Sequence, residues 1–168
     1  MKAPTRTTPS MGSITSIRRA APGWGAMLGV ALLAGCASTP APAAFGSPLP
    51  SIDVSSEFGE RRGLRRRPHL GIDLRAPRGT PVGAVADGEV IFRGKKRGFG
   101  NLVMIDHGAQ TVTYYAHLKD FAVESGAVVV RGQTIGFVGR TGNASGPHLH
   151  LELRVDGEPI DPRRRIPL

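Results

Sequence analysis

The stretch 148–153, HLHLEL, alternates polar and apolar side chains without a break. Successive side chains of a β-strand point to opposite faces, so a strand here puts His148, His150 and Glu152 on one face and three leucines on the other. The leucines suit a protein core, and the polar row provides imidazole and carboxylate groups on the opposite side. The stretch therefore predicts a β-strand that carries candidate metal ligands or catalytic groups.

A second stretch, 69–74 (HLGIDL), repeats this alternation and places His69, Gly71 and Asp73 on one face. The other side chains are expected to face the core: Leu70, Ile72 and Leu74. Because Gly71 has no side chain, we expect open space for a metal ion between the two polar groups. A set of histidine and aspartate ligands suits zinc, and three protein ligands leave the fourth position for water, as in catalytic sites.

The remainder of the chain from residue 51 also reads as β-structure, because short alternating segments recur between glycine-containing turns and no sustained helical period appears. The strands are predicted at Leu70–Leu74, Gly88–Phe92, Leu102–Asp106, Thr111–His117, Val128–Val130, Thr134–Val138 and His148–Val155. Asp156-Gly157 is typical of a two-residue hairpin turn that leads into a short return strand. We therefore predict an all-β fold in which antiparallel sheets form a folded sandwich with an open groove for the metal site.

Of the five histidines in the chain, His107 is expected to be structural. It lies in the turn-like sequence Asp106-His107-Gly108 and has no second polar partner at strand spacing. Two other polar side chains stay ambiguous. Tyr115 is either a substrate contact or a half-buried strand residue, and Glu152 either orients a metal ligand or is a solvated strand charge.

Six motifs together resemble the lysostaphin/LytM-type zinc endopeptidases, which cut peptide bonds in peptidoglycan. They are Ser56-Glu57-Phe58-Gly59, His69-x-Gly71-x-Asp73, Tyr115-Ala116-His117-Leu118, Gly139-x-Thr141-Gly142, Gly146-Pro147-His148-Leu149-His150-x-Glu152 and Asp161-Pro162. The resemblance implies that His69, Asp73 and His150 bind zinc and that His117 and His148 are the catalytic histidines. Some relatives of this kind have lost ligands and act as amidase activators, whereas all five positions are filled here.

The resemblance implies a hydrolase in which zinc lowers the pKa of its water to about 7 and polarises the scissile carbonyl. His117 and His148 would then orient the water and move its proton to the leaving amine. For a Gram-negative host we expect cleavage of a D-alanyl–diaminopimelate cross-link, with a glycyl bridge as the alternative. A non-catalytic protein that binds peptidoglycan or activates an amidase is the rival function, and a metal-stabilised structural module is a weaker one.

The N-terminus reads as a targeting segment. Arg18 and Arg19 precede an uncharged run at 25–35, GAMLGVALLAG, which is too short to span a bilayer but suits a secretory signal. Its end, Leu33-Ala34-Gly35-Cys36, resembles the bacterial lipobox, so residues 1–35 are predicted to be a lipoprotein signal peptide and Cys36 the lipidated residue. The alternative is a plain signal peptide with Cys36 incidental.

Behind Cys36, residues 36–50 are rich in proline and alanine and are predicted to be a tether, followed by the peptidase domain at 51–168. This organisation predicts a protein of the cell envelope that is held to a membrane through Cys36. Ala37 after the cysteine indicates the periplasmic face of the outer membrane in a Gram-negative cell. We expect a monomer.

The mature chain is moderately basic. Four of the 22 Lys and Arg residues precede Cys36, and the remaining 18 face 13 Asp and Glu, which leaves a net charge of +5. Five arginines lie in the segment 60–67, ERRGLRRR, which is either a solvated loop or an attraction for anionic wall polymer or lipid headgroups. Nucleic acid is not expected as a partner, because no aromatic stacking platform accompanies the charge.

Overall fold

The computed structural model describes residues 44–61 and 67–168. Ten strands are present in the described residues: β1 Val54–Ser56, β2 Ile72–Arg75, β3 Pro81–Gly83, β4 Gly88–Lys96, β5 Gly100–Asp106, β6 Thr111–Phe121, β7 Val128–Val129, β8 Thr134–Val138, β9 His148–Val155 and β10 Glu158–Ile160. One turn of 3-10 helix, Pro162–Arg164, follows β10. The predicted signal peptide, Cys36 and the arginines at 62, 65 and 66 lie outside the described residues. Within them, no helix is long and apolar enough to cross a membrane.

All strand pairings are antiparallel, and the main path of the sheet is β1-β2-β9-β6-β5-β4-β7. The long strand β6 changes partner along its length. Its first part, Thr111–Ala116, pairs with β9, whereas Leu118–Phe121 pairs with β8, which in turn pairs with β3. The sheet therefore folds back on itself next to His117, and the predicted all-β fold of antiparallel sheets is confirmed.

The core lies under β2, β9 and β6. Ile72, Leu74 and the three leucines of β9 are fully buried, as the alternation predicts. Burial of each such side chain stabilises the fold by about 1.5–3 kcal/mol. Leu70, in contrast, is 38% exposed, so its predicted place in the core is wrong. The strand begins only at Ile72, and the alternation rule does not apply before it.

The strand boundaries differ from the prediction mainly at short or polar segments. β1 and β3 have three residues each and too little alternation to be recognised. β4 continues through a run of basic residues to Lys96, because it pairs with β5 over its whole length. Pairing supplies the backbone hydrogen bonds there, and the side chains stay in solvent.

Residues 44–50, predicted to belong to the tether, pack on the domain instead. Leu49 is only 4% exposed and is part of the core cluster. The Gly46 N–H donates to the Val85 carbonyl at 2.6 Å, and the Gly83 N–H donates to the Pro48 carbonyl at 2.9 Å. Composition alone misses this because proline and alanine are compatible with an extended segment that is held by backbone hydrogen bonds.

Candidate metal centre and cleft

The three predicted ligands meet where β2 and β9 pair. Asp73 lies opposite His150 in the register, and His69 precedes β2 by three residues. The His150 Nδ1 atom is 2.8 Å from Asp73 Oδ1 and 3.0 Å from His69 Nε2, and His69 Nε2 is 3.1 Å from Asp73 Oδ1. Ligand atoms around a tetrahedral zinc ion, at metal–ligand distances of about 2.0–2.1 Å, are about 3.3 Å apart. The site thus needs to expand by only a few tenths of an ångström to hold such an ion.

The hydrogen bonds of the two imidazoles decide which nitrogens face this centre. His69 Nδ1 donates to the Glu57 carbonyl at 2.9 Å, so its Nε2 carries the lone pair. His150 Nε2 donates to Glu152 Oε1 at 3.1 Å, so in the neutral ring its Nδ1 carries the lone pair. Two nitrogen lone pairs and a carboxylate oxygen therefore converge on one point, an arrangement that a cation stabilises. The donor set fits zinc.

Gly71 allows the backbone before β2 to lie close to β9, and it does not leave open space for an ion. The residue is buried, and a Cβ atom there would lie 2.3 Å from the Leu151 carbonyl oxygen and 3.0 Å from His150 Cε1. The expectation that the glycine opens room for the ion is therefore wrong. Its missing side chain lets the backbone before β2 lie directly against β9, which brings His69 within reach of His150.

His117 reaches the same centre through a bulge in β6. Between two pairs of the register, β5 advances two residues, from Asn101 to Val103, while β6 advances three, from Tyr115 to Leu118. His117 lies in the extra stretch with a φ of 61°, an uncommon conformation for a non-glycine residue. Such a bulge re-aims a side chain, and here it turns the His117 ring toward His148, with 4.7 Å between the ring centroids.

Both of these histidines are anchored by backbone carbonyls. His117 Nδ1 donates to the Thr141 carbonyl at 2.8 Å, and His148 Nδ1 donates to the Gly146 carbonyl at 2.9 Å. Each ring therefore keeps its Nε2 available as a base. Burial, with the neighbouring His148, lowers the pKa of His117 to about 4, so its imidazole is neutral at pH 7. His148 Nε2 is 3.7 Å from Asp73 Oδ1, close to the ligand set.

Glu152 is almost completely buried, at 2% exposed, and bonds to a proposed ligand. Its Oε1 accepts from His150, and its Oε2 accepts two hydrogen bonds from the Arg154 guanidinium at 2.7 and 2.9 Å. Burial alone would raise the pKa of Glu152, but the bonds from His150 and Arg154 hold it below its usual value. The interpretation of Glu152 as a solvated charge is therefore wrong, and the carboxylate orients His150.

Tyr115 does not contact the cleft. It is fully buried, and its hydroxyl accepts the Val85 N–H at 3.0 Å and hydrogen-bonds to Thr113 Oγ1 at 3.0 Å. Burial raises its pKa to about 12. Strand alternation places Tyr115 and His117 on one face, but the bulge between them separates their directions. Of the two interpretations of Tyr115, the substrate contact is therefore wrong, and the residue is a strand tyrosine that is fully buried.

His107 lies away from the centre and is fully bonded, which agrees with a structural role. Its Nδ1 donates to the Asp87 carbonyl at 2.7 Å, and its Nε2 is 2.7 Å from Thr113 Oγ1. The Phe45 ring packs edge-on against it. Burial lowers the pKa of His107 and outweighs the hydrogen bond to Asp87.

A cleft of about 310 Å³ is lined by the three candidate ligands and by His117 and His148. Its further walls include Phe99 and Asn143, which the sequence did not single out. The Phe99 ring lies 5.9 Å from the His150 ring, and the Asn143 N–H donates to the Gly98 carbonyl at 2.8 Å. Both residues come from glycine-containing loops, and only their position next to the motifs could have indicated them. Arg67, from the arginine-rich segment, also lines the cleft.

The arrangement suits hydrolysis. His69, Asp73 and His150 could hold a metal ion, and His117 and His148 line the same cleft as these three residues. A metal with an open position beside imidazole side chains is the arrangement that activates water in metallopeptidases.

Comparison with known proteins agrees with this chemistry. The profile of peptidase family M23 matches residues 67–162. The chain is 49% identical over 118 residues to the DD-carboxypeptidase/endopeptidase Mpg of Neisseria meningitidis serogroup B, covering 68% of this chain and 27% of that protein. It is 44% identical over 112 residues to the peptidoglycan DD-endopeptidase ShyA of Vibrio cholerae, covering 64% of this chain and 26% of that protein.

Among solved structures, a zinc containing peptidase from Vibrio cholerae superimposes with a TM-score of 0.67 and 38% identity, over 70% of this chain and 39% of that one. The chain spans about a quarter of the length of the two curated relatives above. The matched range, 67–162, includes all three candidate metal ligands and both His117 and His148. The chain belongs to peptidase family M23 and is homologous to the LytM/lysostaphin-type peptidoglycan endopeptidases.

Proposed function

We propose that this protein is a zinc-dependent peptidoglycan endopeptidase that cuts peptide bonds in the stem or cross-link peptides. The observation that carries the proposal is the convergence of His69 Nε2, Asp73 Oδ1 and His150 Nδ1 in one cleft with the imidazoles of His117 and His148. The names of the relatives, which are DD-endopeptidases, agree with this substrate.

The chain's own residues would divide the work as follows. When bound, zinc supplies a Lewis acid and brings the pKa of a water molecule to about 7. His69, Asp73 and His150 hold the ion, and Glu152 fixes the tautomer of His150. His117 is neutral at pH 7 because burial lowers its pKa. The Nε2 atom of His117 or of His148 accepts the proton of the attacking water. The imidazolium that results then donates this proton to the leaving amine.

The substrate within peptidoglycan is proposed to be the D-alanyl–diaminopimelate cross-link, since both curated relatives carry DD-endopeptidase in their names. A glycyl bridge is the alternative bond. We further propose that the chain works in the cell envelope, lipidated at Cys36 and held at the periplasmic face of the outer membrane. The lipobox-like sequence before Cys36 supports the anchor.

Digestion of purified sacculi tests the proposed activity. The zinc-loaded chain should release soluble muropeptides, a chelator should stop the release, and added zinc should restore it. His117→Ala should keep zinc and release nothing. A zinc-loaded wild-type chain that leaves sacculi intact, yet stimulates a purified amidase, would favour the non-catalytic activator instead.

A further inference from the structure

The guanidinium of Arg154 bonds to Glu152, which in turn bonds to the proposed metal ligand His150. The two oxygens of the Glu152 carboxylate have different partners: among the described residues, Oε1 accepts from His150 and Oε2 accepts from the Arg154 guanidinium. The carboxylate is 2% exposed, whereas the Arg154 side chain is 24% exposed. A buried carboxylate needs a charged or hydrogen-bonding partner on each oxygen, so Arg154 sets the orientation that Glu152 presents to His150.

Arg154 is itself held in place by Tyr114. The guanidinium carbon lies 4.6 Å from the centre of the Tyr114 ring, which is within the range of a cation–π contact. Tyr114 lies opposite Glu152 in the register of β6 and β9, so the ring is fixed by the same pairing that fixes the carboxylate. Stacking on one side and two hydrogen bonds to a single oxygen on the other leave the guanidinium little freedom.

We propose that Tyr114 and Arg154 are positioning residues of the metal centre, which act through Glu152 to keep His150 with Nδ1 toward the ion. The inference rests on the proposed zinc site, but not on cleavage of any substrate. Partners of this kind, one bond removed from a metal ligand, change metal affinity by about 10- to 100-fold when they are lost. Arg154 is a sequence neighbour of the motif and is not itself a ligand.

Arg154→Met tests the proposal in the purified full chain. Methionine keeps an unbranched side chain over Tyr114 and removes the guanidinium. Arg93→Met is the matched control, because Arg93 also stacks on an aromatic ring, Phe121 at 4.5 Å, and also pairs with a glutamate, Glu124 at 3.4 Å. Both variants lose one positive charge and one stacked arginine, but only Arg154 bonds to the carboxylate behind His150.

The readout is the dissociation constant for Zn2+, measured by competition with a chromophoric chelator. We expect Arg154→Met to weaken zinc binding about 10-fold or more and Arg93→Met to leave it unchanged. Arg154→Lys, which keeps the charge, should recover part of the loss. Wild-type affinity in Arg154→Met, or an equal loss in Arg93→Met, would overturn the proposal.

A double substitution distinguishes an effect of Arg154 through Glu152 from a general loss of stability. Glu152→Gln should weaken zinc binding by itself, because an amide has one acceptor oxygen and must turn its NH2 group toward a donor, either His150 Nε2 or the Arg154 guanidinium. If Arg154 acts through Glu152, the combined Glu152→Gln and Arg154→Met variant should lose no more affinity than the weaker-binding single variant. Losses that simply add would show two independent effects and would refute the relay. Because zinc binding is measured without substrate, an inactive chain that passes these tests would refute only the proposed function.

Discussion

Replacement of Gly71 by alanine should separate the two halves of the metal centre. The new Cβ would lie 2.3 Å from the Leu151 carbonyl oxygen, where ordinary contact begins at 3.4 Å. The backbone before β2 must therefore move away from β9 by about 1 Å, which is the difference between these two distances. The three ligand atoms are now 2.8 to 3.1 Å apart, so a shift of this size on one side carries His69 out of the ligand sphere.

The expected cost has two parts. Overpacking of this kind lowers the free energy of unfolding by about 1–3 kcal/mol. A misplacement of about 1 Å at a catalytic centre lowers the rate by about 10²-fold. We expect Gly71→Ala to stay folded at room temperature, to bind zinc more weakly in a chelator competition, and to lose most of its activity on sacculi.

Gly94→Ala provides the control for this substitution. Gly94 lies on β4, and a Cβ there meets only the end of the flexible Phe92 ring, at 3.2 Å. It should change neither zinc affinity nor activity. If Gly71→Ala bound zinc as tightly as the wild type, the close approach of β2 and β9 would not be what assembles the ligands.

Four further predictions concern single residues. His150→Ala should lose both zinc and activity, whereas His117→Ala should keep zinc, measured by metal analysis of the purified protein, and lose activity; equal zinc loss in both would refute the division of roles. Tyr115→Phe should lower the free energy of unfolding by about 1–3 kcal/mol in denaturant titrations, because the buried Val85 N–H loses its acceptor, and should leave zinc affinity and activity unchanged. Burial lowers the pKa of His107 below its unfolded value of about 6.5. As the pH falls, His107 is therefore protonated in the unfolded chain before it is protonated in the folded chain. The contribution of neutral His107 to stability is complete above about pH 6.5 and is lost as the pH falls below it. The free energy of unfolding of His107→Gln should therefore depend less on pH between about 7.5 and 5 than that of the wild type. Equal pH slopes in the two proteins would contradict this. Cys36→Ala should move the protein from the membrane to the soluble fraction, and full retention with membranes would sink the proposed anchor.

Side-chain alternation was sufficient to predict the fold class and the polar row of β9, because this strand covers the core along its whole length. His150 and Glu152 share a face for this reason, and the buried leucines between them follow the same rule. Alternation failed wherever the backbone leaves the regular strand. Leu70 precedes β2, and the bulge after Tyr115 turns His117 away from the direction that alternation predicts for it.

Contacts from distant parts of the chain were beyond prediction from one sequence. The burial of Leu49, the loop that brings Asn143 to the cleft, and the stacking of Arg154 on Tyr114 all depend on which strands become neighbours. The selection of ligands among the histidines came from the resemblance to a family, because alternation gives a face but not the direction of a ring nitrogen. The hydrogen bonds of Glu57 and Glu152 supply that direction.

Mass spectrometry of a purified cross-linked muropeptide dimer tests the central claim most directly. The zinc-loaded chain should convert the dimer into two monomers with the gain of one water molecule, and in water enriched in oxygen-18 the label should appear in a single new carboxyl group. The chelated wild type and zinc-loaded His117→Ala should leave the dimer intact. A dimer that survives the zinc-loaded wild type, or one that is cut in its glycan instead of its peptide, would contradict the account.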